Sequence, residues 1–288
     1  MAASAWMTSS QPVRSSFDWR NLGIRAASAA ILGTLAVVAI VAGGWSFSAI
    51  IFLAVALLAT EWGVMSTPAT PIRSSAAVSL AVLAGLVVAH LYAPRYGVMA
   101  LALVTAAATL ALRSVTRRIA DVAFGSIYIG FPALALIWLR AGEQGLGWTV
   151  LLFAVTWAAD IGAFLVGSTL KGPKLRPAFS PNKTWSGFCG GLVAATMAGV
   201  LADAGMGLVV PGGLAIPIGW AIAVGFLGGL ATMIGDLWES WLKRRFGVKD
   251  SGDLIPGHGG LLDRVDGLLF AVVAVAIARW LWQGGAGA

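Results

Sequence analysis

The chain is poor in charged residues and in cysteine. Of its 288 residues only 11% are charged, 12 are acidic and a single one is Cys. The lone Cys189 excludes an internal disulfide, and the lack of an evident internal repeat removes the usual sign of an inverted-repeat transporter. Apolar residues make up 59% of the chain, with 13 Trp among them. One water-soluble core cannot bury this much apolar surface, so we predict an integral membrane protein.

Apolar runs long enough to span ~30 Å of hydrocarbon predict an all-α polytopic fold with about nine transmembrane helices. The runs lie at about 26–41, 46–60, 76–92, 96–112, 122–139, 147–168, 187–201, 216–235 and 268–282. We divide the chain into a flank at 1–25, N-terminal transmembrane helices at 26–140 and a C-terminal transmembrane region at 147–288. The flank lacks the apolar core of a cleaved signal peptide. The C-terminal region contains two polar segments, at 169–186 and 236–267, where we expect the functional residues.

The basic residues indicate an orientation, because Lys and Arg gather in cytoplasmic loops. With the N-terminus inside, only Arg95, Arg140 and Arg279 of the 19 Lys and Arg residues fall outside, which leaves 16 inside. We therefore expect a cytoplasmic N-terminus, an external C-terminus and both polar segments in the cytoplasm. The net charge of +7 then reflects orientation and anionic lipid headgroups, with no nucleic acid as a partner.

The segment 236–267 is a charge cluster in an apolar chain. It holds 11 of the 31 charged residues, including half of the carboxylates. On a helix that restarts after the glycines, Asp263 and Asp266 share one face at i, i+3. Together with Asp236 they offer three carboxylates to a hard cation, while Lys and Arg neutralise phosphate charge. This combination favours nucleotidyl or phosphoryl transfer; the alternative is a solvated loop whose acids pair with its bases.

The start of this segment is predicted to continue the preceding helix. Asp236, Ser240 and Lys243 then lie on one face at i, i+4 and i+7. The helix is expected to break at Gly247, and an ordered glycine-rich loop follows. Within that loop His258 has two interpretations: it hydrogen-bonds the loop backbone, or it serves a phosphate or carries a proton.

The other polar segment follows an apolar run that contains Asp160. An ionisable side chain at this depth is costly and usually faces a cavity or a partner. The segment itself supplies Lys183 and three hydrogen-bonding side chains, Ser180, Asn182 and Thr184, which suit a phosphate or a base.

These motifs resemble those of a known enzyme family. The pattern S-x-x-K-R, then K-D, then P-G-H-G-G-x-x-D-R-x-D within 240–266 is similar to the motif of the phosphatidate cytidylyltransferases, also called CDP-diacylglycerol synthases. The stretch from DIGAFLVGS to SPNKTWSG resembles a second motif of that family. The resemblance implies a multi-pass inner-membrane enzyme that faces the cytoplasm. It would join CTP to phosphatidic acid, use Mg²⁺ with a second cation left open, and form a homodimer.

The resemblance also implies three groups of site residues. The catalytic group is Asp236, Asp263, Lys243, Arg264 and His258. The metal ligands are Asp236, Asp263 and Asp266. The substrate-binding group is Asp160, Ser180, Asn182, Lys183, Thr184, Ser240, Arg244, Lys249, Asp250, Gly259 and Gly260. One departure is Ser186, where the family commonly has an acid. It is either a tolerated residue at a helix N-cap or the mark of a subgroup with altered affinity, and we favour the N-cap because the downstream motif is intact.

Two other functions compete with this prediction. One is a CTP-dependent enzyme with another lipid acceptor, either a polyprenol kinase or a cytidylyltransferase for another phospholipid. The kinase fits less well because PGHGG and DRVD match the cytidylyltransferase motif without gaps. The other phospholipid stays open, because the sequence does not identify the acceptor pocket. An ion-coupled transporter would accommodate Asp160 at mid-membrane. It predicts acids spread over several spans, whereas here they gather on one segment.

Overall fold

The computed structural model describes residues 19–210, 213–256 and 259–286, and within these ranges the chain forms nine helices. They are α1 (Trp19–Ala42), α2 (Gly44–Ser66), α3 (Pro71–Leu91), α4 (Pro94–Leu112), α5 (Ile119–Arg140), α6 (Gly145–Leu170), α7 (Trp185–Val209), α8 (Ile218–Phe246) and α9 (Leu262–Ala286). Eight of them are long and apolar enough to cross a membrane, and α1 adds a shorter apolar stretch at Ala26–Ala42. The predicted all-α polytopic fold is confirmed. Most of the flank at 1–25 lies outside the described residues.

The charged segment is framed by two helix ends. Helix α8 continues past its apolar part to Phe246, where Gly247 adopts a φ of 76° and donates its N–H to the carbonyls of Lys243 and Arg244. Only glycine takes this left-handed conformation without strain, so the helix ends where the sequence predicts. Helix α9 restarts at Leu262, which places Asp263 and Asp266 in its first two turns.

A short β-hairpin, absent from the sequence-based prediction, connects α6 to α7. Strand β1 (Lys174–Arg176) pairs antiparallel with β2 (Ser180–Thr184). Thr184 then caps α7, because its Oγ1 accepts the backbone N–H of Gly187 at 3.1 Å. The prediction that Ser186 is the N-cap is therefore wrong: Ser186 lies in the first turn, and its hydroxyl donates to the carbonyl of Lys171.

Small residues allow α6, α7 and α8 to approach closely. The buried stripe of α7 recurs every four residues, at Gly187, Gly191, Ala195 and Gly199. A Cβ at Gly191 would lie 2.7 Å from the carbonyl oxygen of Ala159 in α6, and one at Gly199 would lie 2.8 Å from the Cα of Gly225 in α8. These contacts resemble the small-xxx-small packing of transmembrane helices.

The outward faces of these helices are apolar. Phe164, Val193 and Leu201, for example, expose more than half of their surface. Apolar faces of this extent are stable against lipid, in which the helices satisfy their own backbone hydrogen bonds.

At the end of the bundle opposite the charged segment, two arginines bind helix carbonyls. Arg279 is 3% exposed and donates to the carbonyls of Trp138, Leu139 and Ala141 at 3.0, 2.6 and 3.0 Å. Arg140 donates from Nε to the carbonyl of Ile40 at 2.8 Å. Each arginine thus satisfies carbonyls that a helix C-terminus leaves without intrahelical partners.

Candidate active site

A cavity of about 690 Å³ opens where the hairpin meets one end of α6, α7, α8 and α9. Both polar segments of the sequence contribute to it, which agrees with the prediction that they lie on the same side of the membrane. Its polar lining consists of Asp160, Ser168, Asn182, Lys183, Thr184, Asp236, Lys243, Asp250, Asp263, Arg264 and Asp266. Its apolar lining includes Ala163, Phe164, Leu175, Phe188, Met233 and Leu237.

Five carboxylates line this cavity. Three of them come from three different helices: Asp160 of α6, Asp236 of α8 and Asp266 of α9. They lie close enough for their charges to repel one another. Arg264 also lines the cavity and partly offsets the charge of Asp160. A concentration of negative charge in a partly apolar cleft attracts a cation.

The carboxylate of Asp263 is already engaged by neighbouring donors. Its Oδ2 accepts the backbone N–H of Gly260 at 2.9 Å and of Ser251 at 3.0 Å, as well as the Ser251 hydroxyl at 3.1 Å. Its Oδ1 lies 2.6 Å from the Lys243 ammonium. Asp263 therefore fastens the loop between α8 and α9, and its side chain is less available to a metal than those of Asp236 and Asp266.

Lys243 connects two acids at the base of the cavity. Besides Asp263, its ammonium lies 2.8 Å from Oε2 of Glu239, one turn earlier on α8. Glu239 is fully buried, and neither of its oxygens has a hydrogen bond of good geometry within the described residues. Because a buried carboxylate needs a compensating charge, we infer that Lys243 first of all neutralises Glu239 and Asp263.

An ion pair joins the hairpin to α8 across the cavity. Lys183, at the end of β2, contacts Oδ2 of Asp236, and about a quarter of the Lys183 side chain and a third of the Asp236 side chain remain exposed. The ammonium makes no hydrogen bond of good geometry within the described residues. Because this ammonium is buried and its hydrogen-bonding capacity is unused, a phosphate group can compete with Asp236 for Lys183.

The sequence-predicted residues divide into those that line the cavity and those that do not. Ten line it: Asp160, Asn182, Lys183, Thr184, Asp236, Lys243, Asp250, Asp263, Arg264 and Asp266. Six others lie outside the lining: Ser180, Ser240, Arg244, Lys249, Gly259 and Gly260. His258 falls outside the described residues.

Two of the residues outside the lining organise the chain nearby. Arg244 donates to the carbonyl of Val248 at 3.2 Å, just beyond the end of α8. Gly259 has a φ of 80° and pairs its carbonyl with the N–H of Ile255 at 2.8 Å, so it shapes the loop rather than the cavity wall.

Two acids near the site were missed by sequence reasoning. Glu61 of α2 accepts the backbone N–H groups of Leu261 and Leu262 at 2.7 and 2.8 Å. Asp121 of α5 pairs with Arg245 at 3.1 Å. The available signal was an acid at the end of an apolar run, in ATEW for Glu61 and in RIADV for Asp121.

Comparison with known proteins places these features in a family context. The sequence model of the "Cytidylyltransferase family" matches residues 23–282. A Brucella suis protein named phosphatidate cytidylyltransferase is 51% identical over 151 residues, which cover 52% of this chain and 53% of that protein. Proteins of the same name from Bacillus subtilis and Rickettsia conorii are 38% and 33% identical, over 152 and 161 residues. They align with 52% and 56% of this chain and with 54% and 70% of their own lengths. The chain thus spans about half the length of the first relatives that it matches.

Proposed function

The chain belongs to the cytidylyltransferase family, and from this premise we propose that it transfers the cytidylyl group of CTP to phosphatidic acid. The products are CDP-diacylglycerol and pyrophosphate. The observation that carries the proposal is the composition of the cavity, which combines five carboxylates and three basic side chains with apolar walls. The shared name of the Brucella, Bacillus and Rickettsia relatives supports the same substrates.

Each substrate has a matching part of the cavity. Arg264 and Lys183 offer positive charge to the phosphates of CTP, and Asn182 and Thr184 offer hydrogen-bonding groups. Phe164 lines the cavity and is also 73% exposed on the outside of α6. The apolar wall thereby reaches the lipid-facing surface, so that phosphatidic acid enters with its acyl chains still in the bilayer.

The donors in the cavity fit Mg²⁺. Among the described residues no three Asp, Glu, His or Cys side chains are grouped closely enough to hold a metal by themselves. Mg²⁺ commonly takes one or two carboxylates and completes its six ligands with water and phosphate oxygens. Asp236 and Asp266 would provide the protein ligands, with Asp160 as an additional charge nearby. When bound, the ion would withdraw charge from the phosphate oxygens of CTP.

The reaction requires positioning and charge neutralisation more than covalent participation by the protein. A phosphate oxygen of phosphatidic acid attacks the α-phosphorus of CTP, a new P–O bond forms, and the bond to the β-phosphate bridging oxygen breaks. Lys183 and Arg264 orient the triphosphate and stabilise the negative charge of the departing pyrophosphate. Asp263 and Lys243 keep the adjacent loop in place.

We also propose that the protein lies in the inner membrane and that its cavity faces the cytoplasm. Both polar segments lie at the same end of the bundle, where the positive-inside pattern predicts the cytoplasm and where CTP is present. The predicted homodimer stays a prediction. The names of the relatives do not favour a polyprenol kinase, and the clustering of acids at one cavity does not favour a transporter.

Position-specific labelling of CTP tests the reaction. Purified protein in lipid nanodiscs is incubated with phosphatidic acid, Mg²⁺ and CTP that carries ³²P at either the α- or the γ-phosphate. Cytidylyl transfer moves the α-label into lipid and releases one pyrophosphate per lipid labelled, whereas a kinase moves the γ-label and releases CDP. Absence of α-label in lipid would contradict the proposed function, and omission of Mg²⁺ tests the metal requirement.

A further inference from the structure

We propose that Glu61, on helix α2 in the N-terminal half, is a positioning residue for the active site. It holds the first turn of α9 in the place where Arg264 and Asp266 face the cavity. The expected effect on CDP-lipid formation rests on the proposed function. The expected effect on the position of α9 does not depend on that function. Glu61 does not line the cavity, so it acts through α9 rather than on the substrates.

The contacts of Glu61 form an external cap for α9. Its Oε1 accepts the N–H of Leu261 at 2.7 Å, and its Oε2 accepts the N–H of Leu262 at 2.8 Å. The first N–H groups of a helix have no intrahelical partner, and a carboxylate there is also favoured by the helix dipole. The usual cap comes from a neighbouring residue in sequence, whereas this one comes from a helix about 200 residues away.

The cap continues into the loop that precedes α9. The hydroxyl of Ser251 lies 3.2 Å from Oε2 of Glu61 and 3.1 Å from Oδ2 of Asp263. Two carboxylates, one from α2 and one from α9, thus converge on a single side chain of the loop. Because Ser251 has one hydroxyl proton, it donates to one carboxylate at a time, and the backbone donors of the loop supply the remaining stabilisation.

Glu61 is buried and closely packed against two glycines of the loop. Its side chain is only 6% exposed. A Cβ at Gly260 would overlap the Ser251 hydroxyl and lie 2.9 Å from each Glu61 oxygen, and one at Gly252 would lie 3.3 Å from Cγ of Glu61. Glycine at these positions therefore lets the loop backbone approach the Glu61 carboxylate closely. This explains why a glycine is needed at position 260 without a direct role in substrate binding.

A hydrogen bond and an ion pair connect α2, which carries Glu61, to α5 and α8. Trp62 is fully buried and donates from Nε1 to the carbonyl of Asp121 at 2.9 Å. Asp121 in turn pairs with Arg245 near the end of α8. Residues of α2 and α5 thus hold both ends of the α8–α9 loop, through Arg245 on one side and Leu261 and Leu262 on the other.

The test compares Glu61→Gln with Glu143→Gln, a matched change at an exposed residue outside the site. The amide introduced by Glu61→Gln keeps the shape of the side chain but has one acceptor oxygen in place of two, so the N–H of either Leu261 or Leu262 loses its partner. We expect kcat for CDP-lipid formation to fall about 10- to 100-fold, with KM for CTP changed less than about threefold. Glu143→Gln should match the unmodified protein, and Ser251→Ala should show a smaller loss than Glu61→Gln because both backbone contacts of Glu61 persist.

Hydrogen–deuterium exchange provides a readout that does not depend on the reaction. Glu61→Gln should raise amide exchange in peptides that cover 251–266 and leave those of α6 and α7 unchanged. Unchanged exchange in 251–266 overturns the inference, even if activity falls. A kcat loss that merely follows loss of folded protein, with exchange raised throughout, overturns it as well. If the unmodified protein proves inactive with CTP and phosphatidic acid, the proposed function fails while a localised exchange increase still supports the positioning role.

Discussion

At the residue scale, Asp263 and Asp266 have different surroundings although they are three positions apart. The Asp263 carboxylate accepts from Gly260 and Ser251 and pairs with Lys243. Asp266 accepts the N–H of Gly267 at 2.8 Å and otherwise faces the other acids of the cavity. One carboxylate is therefore part of the loop structure, and the other is available to a cation.

This difference predicts separate effects of two substitutions. Asp266→Asn removes a proposed metal ligand, so we expect turnover to fall by more than the roughly 10- to 100-fold that is typical of residues that only hydrogen-bond to a metal ligand. It also removes a repulsive negative charge, so the Tm should stay the same or rise. Asp263→Asn should reduce turnover and also lower the Tm, because the amide has one acceptor oxygen in place of two and no charge to pair with Lys243. Initial rates and thermal unfolding in detergent measure both.

Asp253→Asn is the matched control for these variants. Asp253 lies in the same loop, is exposed and does not line the cavity, so both its activity and its Tm should equal those of the unmodified protein. A Tm loss for Asp266→Asn equal to that of Asp263→Asn would show that the two acids have the same role.

Residues in unusual local surroundings could be identified from sequence. Asp160 and Asp236 stand out because a charge is expensive in or beside an apolar helix, and the structure brings both to one cavity. Glu61 also stands out as an acid in an apolar run, but its importance lies in contacts with Leu261 and Leu262, 200 and 201 positions away. No local pattern in a single sequence encodes that distance.

At the element scale, the contact of α7 with α8 depends on the absence of side chains. A Cβ at Gly199 would lie 2.8 Å from the Cα of Gly225 and 3.0 Å from the carbonyl of Ala221. Both neighbours are backbone atoms, so the helices must separate to accept a methyl group. Gly205, on the same helix, has nothing within 4 Å of such a Cβ.

This pair of glycines gives a stability test with an internal control. Gly199→Ala should destabilise the protein by about 1–3 kcal/mol, as overpacking does, whereas Gly205→Ala should be neutral or slightly stabilising because Ala favours a helix. Thermal unfolding of both variants in the same lipid or detergent measures the difference. Equal Tm values would contradict close α7–α8 packing at Gly199.

Helices were easier to predict than their ends and connections. Hydropathy located all nine described helices, and Gly247 correctly marked the end of α8. The charge of Glu61 interrupts the apolar run of α2 before its end at Ser66, and the hairpin at 174–184 has no apolar periodicity of its own. Ser186 was misassigned as the α7 cap because Ser and Thr both favour that position, and only the hydrogen bond of Thr184 to Gly187 distinguishes them.

At the scale of the whole molecule, the three exceptions to the positive-inside pattern have structural surroundings of their own. Arg279 and Arg140 bind carbonyls at helix C-termini, and Arg95 lies over the ring of Tyr96 at 4.9 Å. Their contacts give these arginines a structural reason to lie on the side predicted to be external. The remaining basic residues then give an even clearer orientation signal.

The orientation can be measured with single cysteines. In a Cys189→Ser background, Glu143→Cys and Asp253→Cys each place one thiol at an exposed position, at opposite ends of the bundle. We expect a membrane-impermeant maleimide to label Glu143→Cys in intact spheroplasts and Asp253→Cys only after permeabilisation. The reverse pattern would place the cavity outside the cell and contradict an enzyme that takes CTP from the cytoplasm.

The close backbone contact between α6 and α7 has a consequence for how the cavity changes width. A Cβ at Gly162 would lie 3.0 Å from the carbonyl of Gly190, and one at Gly187 would lie 2.8 Å from the carbonyl of Ala163. Because few side chains lie between these two helices, a change of side-chain conformation cannot alter the distance between them. We therefore expect α6 and α7 to move together, so that a change in the width of the cavity would come from the hairpin and from the loop between α8 and α9.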